Sequence, residues 1–140
     1  MPKYVARART DAPAEAVWPL VSDLTRHGEW SADPLTVTPA GDGVYESVAR
    51  SKGKEFRARL EVLESVPPRR FAFRATDATG TYDHVLTLTP DGTGTVVTRE
   101  IEAASLSVGQ RLLFYAVLPI VKKPNARKAL RNLAARAASG

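Results

Sequence analysis

Two histidines, a tyrosine and an arginine are the side chains of this 140-residue sequence best placed to do chemistry. His84 follows Tyr82 by two residues in a segment, 81–89, that alternates polar and apolar, so both fall on one strand face with Leu86 and Leu88. An imidazole on such a face is either a hydrogen-bonder or proton carrier for a bound molecule, or a core histidine satisfied by its neighbours. The phenol of Tyr82 can anchor a polar group while its ring stays buried. Arg99 shares a face with Val97 and Ile101, where it could neutralise a buried acid or grip a carboxylate. A register one residue off points it, and likewise Glu46 and Arg50, the other way. His27, within Thr25-Arg26-His27-Gly28, reads as a surface residue.

Other chemistries are excluded by composition. There are no cysteines, so disulfides, thiolate metal sites and a cysteine nucleophile are ruled out, and a reducing cytoplasm is the expected compartment. Neither a G-x-S-x-G elbow, an H-E-x-x-H pair nor a phosphate-binding glycine loop is present, and no metal or cofactor is expected. The longest apolar run, Leu112 to Val121, is about half a membrane span, and the N-terminus lacks the apolar core of a signal peptide.

Those residues must be positioned by strands. Residues 3–10 alternate, with Tyr4, Ala6, Ala8 and Thr10 on one face. Asp11-Ala12-Pro13-Ala14-Glu15 reads as a helix start with Asp11 as cap and Glu15 at the positive end of the dipole. Pro19 shortens or kinks that helix, which restarts near Asp23 and runs to about Trp30. Turns at Gly41-Asp42-Gly43, Ser51 to Lys54, Pro67-Pro68, Ala78-Thr79-Gly80 and Pro90-Asp91-Gly92 divide residues 33–103 into strands. Connections this short force antiparallel pairing, and the one-sided alternation gives a wet face and a dry face. Phe56, Ala58, Leu60 and Val62, then Phe71, Phe73 and Ala75, point inward.

From Ser107 the period becomes helical. Leu112, Ala116, Ile120, Lys123, Ala126, Leu130, Leu133 and Ala137 follow one helix face, interrupted at Pro119 and Pro124. The expected fold is α+β: a curved antiparallel sheet of six to seven strands around a long C-terminal helix, with two short helices after the first strand, in one domain over 1–140. Charge is uneven: residues 1–102 sum to −2 and residues 103–140 to +7, with no acid in the latter. This reads as a solvated basic helix face.

Asp11-Ala12-Pro13-Ala14-Glu15-Ala16-Val17-Trp18, then Asp23 and Glu29-Trp30-Ser31, resemble the opening signature of the START-like or SRPBCC superfamily. Pro67-Pro68-Arg69-Arg70-Phe71 and Asp91-Gly92-Thr93-Gly94-Thr95 match it in order and spacing, so the resemblance covers nearly the whole chain. Its members of this kind are described as polyketide cyclase/dehydrase or lipid-transport-like proteins. The resemblance implies a helix-grip (START/Bet v 1-like) fold with a cavity between sheet and terminal helix, holding lipids, sterols, hormones, polyketide intermediates or quinones. Small residues, Ala6, Ala8, Thr10, Ala58 and Ala75 on the sheet against Ala116, Ala126 and Ala134 on the helix, leave either a space or a close approach there.

Three functions are therefore weighed. The first is binding or carriage of a small, largely apolar molecule, with Tyr82, His84, Arg99, Phe56, Phe71, Phe73, Trp30, Leu112 and Ala116 as candidate contacts. The second is an aromatase/cyclase or dehydrase in which His84 shuttles a proton and Tyr82 is the acid or oxyanion donor. The third is an interaction protein using Lys122, Lys123, Arg127, Lys128, Arg131 and Arg136. Without interleaved aromatics nucleic acid is not an expected partner, whereas membrane-surface contact and a homodimer stay open.

Overall fold

The structure is a computed structural model, and it describes residues 3–105 and 127–139. Seven strands form one antiparallel sheet: β1 (Lys3–Thr10), β2 (Leu35–Gly41), β3 (Val44–Ser51), β4 (Lys54–Val66), β5 (Arg70–Asp77), β6 (Gly80–Asp91) and β7 (Gly94–Ser105). Their spatial order is β1-β7-β6-β5-β4-β3-β2, a meander from β2 to β7 with β1 laid against β7. Strands joined by two or three turn residues pair in sequence order because no longer path is available to them. Gly43, Gly53 and Gly92 stand at three of these turns with φ of 68°, 76° and 62°, where a side chain would be strained.

Between β1 and β2 lie the helix α1 (Ala14–Ser22) and a 3-10 helix (Leu24–Glu29). Pro13 is the N-cap of α1 with no side-chain cap bond, so Asp11 does not play the capping role expected of it. Its carboxylate instead takes Arg9 Nη1 at 2.6 Å. Pro19 sits exposed inside α1, and the helix ends three residues later at Ser22. Asp23 restarts the chain by accepting the Thr25 N–H at 3.0 Å, as an N-cap does.

The register fixes one inner face. Tyr4, Ala6, Ala8 and Thr10 of β1 stand opposite Ile101, Arg99, Val97 and Thr95 of β7. His84, Leu86 and Leu88 of β6 stand opposite Ile101, Arg99 and Val97. Phe71, Phe73 and Ala75 of β5 continue the face to Leu86, His84 and Tyr82 on one side and to Val62 and Leu60 on the other. Against it pack Val17, Leu20, Val21, Leu24 and Trp30 from the helical pair. Residues 127–139 are helical, and Ala129, Leu130, Leu133 and Ala137 join the same core. The expected helix positions Leu112, Ala116, Ile120, Lys123 and Ala126, with Pro119 and Pro124, lie outside the described residues.

On β3 the inner face takes Ser47, while Glu46 and Arg50 are exposed and Arg50 pairs with Glu55 at 3.2 Å. Thr10 ties three elements: its Oγ1 accepts the Ala12 N–H at 3.2 Å and donates to the Ala134 carbonyl at 2.9 Å. At the far margin, β2 carries Pro39, and its pairing with β3 slips one residue between Pro39 and Gly41.

Candidate functional site

Five side chains close into a ring on the inner face. Leu24, His27 and Trp30 recur every three residues, and a 3-10 helix has about three residues per turn, so they stack along one side. That side faces the sheet. Trp30 is 2% exposed and its indole Nε1 donates to the Leu20 carbonyl at 3.0 Å. His27 lies 4.7 Å from the Trp30 ring and 5.6 Å from Phe73, edge to face with the latter. Phe73 stacks on His84 with centroids 4.6 Å apart and planes 10° from parallel. Arg99 Nη2 donates to His84 Nδ1 at 3.0 Å, and the Arg99 guanidinium stands 5.8 Å from the Trp30 ring centroid. This closes the ring and is near enough for a cation–π attraction.

Both imidazole orientations follow from their partners. Nδ1 of His84 accepts from a guanidinium, which has no lone pair to offer in return, so the ring carries its proton on Nε2. His27 donates from Nε2 to the Val21 carbonyl at 2.8 Å. His27 is 5% exposed, contrary to the surface position expected for it. Burial pushes its pKa down to about 4; the Val21 carbonyl opposes the shift and the nearby Arg99 charge adds to it. Burial also lowers Arg99, to about 10. A guanidinium is expensive to remove from water without an anion beside it. Among the described residues Arg99 Nε is enclosed and has no hydrogen-bond partner.

The remaining candidates are distributed around this ring. Tyr82 is buried on the same face, and its hydroxyl is 2.7 Å from Thr79 Oγ1 at the β5–β6 turn. Phe71 is 1% exposed and meets Trp18 edge-on at 6.4 Å. Phe56 shares the inner face of β4, opposite Ala49, but is 54% exposed, because it lies by the β3–β4 turn beyond the reach of the core. Phe56 thus points inward as expected but is not part of the core. Leu112 and Ala116 lie outside the described residues. Arg127, Lys128 and Arg131 are exposed, and Arg136 reaches Glu29 Oε1 at 3.1 Å, as a solvated helix face would.

Carboxylates on the outer face are engaged in ion pairs. Glu64 holds Arg70 at 3.0 Å, Glu61 lies 3.7 Å from Arg59, and Asp83 clamps Arg74 with two bonds of 2.7 and 3.0 Å. Among the described residues no group of three or more His, Asp or Glu could hold a metal ion, and no helix is long and apolar enough to cross a membrane. An open depression edged by Glu46, Arg57, Arg59 and Thr76 lies over β3 and β4. It contains no member of the ring, and its charged rim suits solvent.

Residues 1–138 match the family described as polyketide cyclase / dehydrase and lipid transport. No relative is found among curated proteins. Among solved structures, protein CV1439 from Chromobacterium violaceum is similar at a TM-score of 0.80 and 18% identity, covering 99% of each chain. Ms6760 from Mycobacterium smegmatis is similar at 0.76 and 19% identity, covering 96% of this chain and 89% of its own. TTHA0849 from Thermus thermophilus is similar at 0.74 and 23% identity, covering 99% and 98%. At these identities the likeness is one of fold.

Proposed function

The chain belongs to the polyketide cyclase/dehydrase and lipid transport family, and on that premise we propose that it binds a small, largely apolar molecule against the inner face of its sheet. One observation carries this reading. Ala8, Ala58, Val62 and Ala75 pack on the buried core yet keep part of their surface accessible. Apolar surface left accessible gains ~25 cal/mol for each Å² a ligand covers. Beneath these positions lie Phe73, Leu86 and Ile101, so their surroundings are apolar with few polar groups, the composition expected of a small-molecule site.

Covering that surface with a larger side chain tests the reading. Ala75→Trp places an indole between Leu60 and Tyr82, its cross-strand neighbours. The variant is expected to bind the neutral fluorophore N-phenyl-1-naphthylamine at least about tenfold more weakly than the wild type, a loss of about 1.4 kcal/mol. Thermal unfolding checks that the variant is folded. Equal affinity of the two proteins contradicts binding at this face.

A second reading, catalysis of a cyclisation or dehydration in the same place, is favoured by the orientation of His84. Phe73 and Arg99 hold the imidazole from two sides, as an acid–base group requires. His84→Ala separates the two. Carriage predicts a loss of affinity below about tenfold, whereas catalysis predicts a fall in kcat of about a hundredfold with KM little changed.

A further inference from the structure

We propose that the molecule held on this face carries a carboxylate head group, and that Arg99, braced by His84 and Trp30, is its seat. This rests on the ligand-binding reading above and adds the chemical class of the ligand.

Arg99 projects from the middle of β7, with Val97 and Ile101 on either side along the strand and Ala6 and Leu86 directly across it. Nothing apolar is gained by a guanidinium at that position, and a leucine or methionine would pack there without any desolvation penalty. Arg99 is partly buried, with its Nε enclosed, and cations drawn this far out of water are normally matched by a carboxylate. Here the nearest acids in the chain, Glu100 and Glu102, alternate to the opposite face, where Glu100 meets Lys3 at 3.8 Å. Asp83 is given to Arg74 and Glu29 to Arg26 and Arg136. Among the described residues no carboxylate forms an ion pair with Arg99, whose hydrogen bond goes to a neutral nitrogen of His84. Its Nε is left without a partner. The positive charge is thus built into the wall and held in place, while its counter-charge is missing from the described residues.

The missing partner can be specified. Lys54, on the same face beside the β3–β4 turn, is exposed, so among the described residues Arg99 is the one cation set into the enclosed part of the inner face, and it balances one negative charge rather than a phosphate dianion. A planar guanidinium with parallel N–H bonds fits a planar carboxylate. The surrounding Phe73, Leu86, Ile101 and Tyr4 call for a hydrocarbon or aromatic body behind that head. The ligand class is therefore an amphipathic monocarboxylic acid, and His84 both fixes the guanidinium and stands next to the bound head group.

The test compares dodecanoate with 1-dodecanol at pH 7.5, each displacing N-phenyl-1-naphthylamine from the wild type and from Arg99→Met and Arg99→Lys. The acid is expected to displace the probe from the wild type at a concentration about tenfold lower than the alcohol. Arg99→Met is expected to erase that preference, read as the ratio of acid to alcohol displacement within the same variant whatever its affinity for the probe. Arg99→Lys keeps the charge but not the fork and is expected to retain part of the preference; it decides the matter if Arg99→Met does not fold. Equal displacement by acid and alcohol from the wild type overturns the carboxylate seat and leaves ligand binding standing. So does an acid preference that survives in Arg99→Met, since the anion then sits elsewhere. Failure of probe, acid and alcohol alike to bind the folded wild type overturns the ligand-binding reading itself, and the seat with it.

Discussion

Phe71→Ala is expected to lower the free energy of unfolding by about 3–5 kcal/mol. The phenyl ring is 1% exposed and sits where sheet and helical pair meet. It touches Trp18 edge-on at 6.4 Å, Phe73 at 6.0 Å and His27 at 6.4 Å, and stands across from Leu86 on β6. Truncation loses the transfer energy of the ring and leaves a hole that β5, hydrogen-bonded on both sides, cannot collapse to fill. Urea denaturation at pH 7 measures the loss as a lower midpoint with an unchanged slope. A loss below about 1.5 kcal/mol would mean that Trp18 and Phe73 repack over the gap. Phe71→Leu, which removes less volume, is expected to lose less.

Between about pH 6.5 and pH 4 the wild type is expected to lose about 3 kcal/mol that a His27→Gln variant does not. The folded pKa of His27 is lowered to about 4, mainly by burial, from 6.5. In that window the unfolded chain binds a proton at this histidine and the folded one does not. Stability from this group is therefore complete above about pH 6.5, declines as pH falls, and has all been lost below about pH 4. Carboxylates titrate toward the acid end of the same range, so the measured quantity is the difference in slope between wild type and variant in urea midpoints at half-unit steps. Parallel slopes for the two proteins would show that His27 is hydrated enough to titrate normally. Glutamine can still donate toward the Val21 carbonyl, which keeps the backbone partner satisfied.

Much of the fold was legible because turn chemistry punctuates it. Gly41-Asp42-Gly43 and Ser51 to Lys54 bound β3 at Val44 and Ser51, as the residues alone indicate. Period-two alternation placed Ala6, Leu60, Phe73 and Leu86 on one face, and the register agrees. Arg99 was harder. Val96 and Val97 are both apolar, so the alternation of β7 permits two registers, and only the pairing with β1 and β6 selects the one that buries the guanidinium. Glu46 and Arg50 were ambiguous for the same reason, and pairing with β4 turned them to solvent.

His27 was missed for a different reason. A polar residue between Arg26 and Gly28 looks like a loop, and only a period of three, with Leu24 before it and Trp30 after, reveals the inward side. The failed cap at Asp11 reflects competition: Arg9 holds that carboxylate away from the helix and also reaches Asp91 at 2.8 Å. Phe56 shows the limit of periodicity. Alternation fixes which way a side chain points and says nothing about whether anything is there to cover it.

A sheet that does not close into a barrel ends in two borders where another chain could add itself as a strand. Here β2 forms one of them. Pro39 offers no N–H, and the one-residue slip beside it breaks the even spacing an incoming strand would have to match. At the other border β1 presents Lys3, Arg7 and Arg9, whose like charges oppose a second copy laid alongside in register. Neither border gives fibril growth a flat, uncharged template, so the open ends of the sheet discourage copies of the chain from stacking edge to edge.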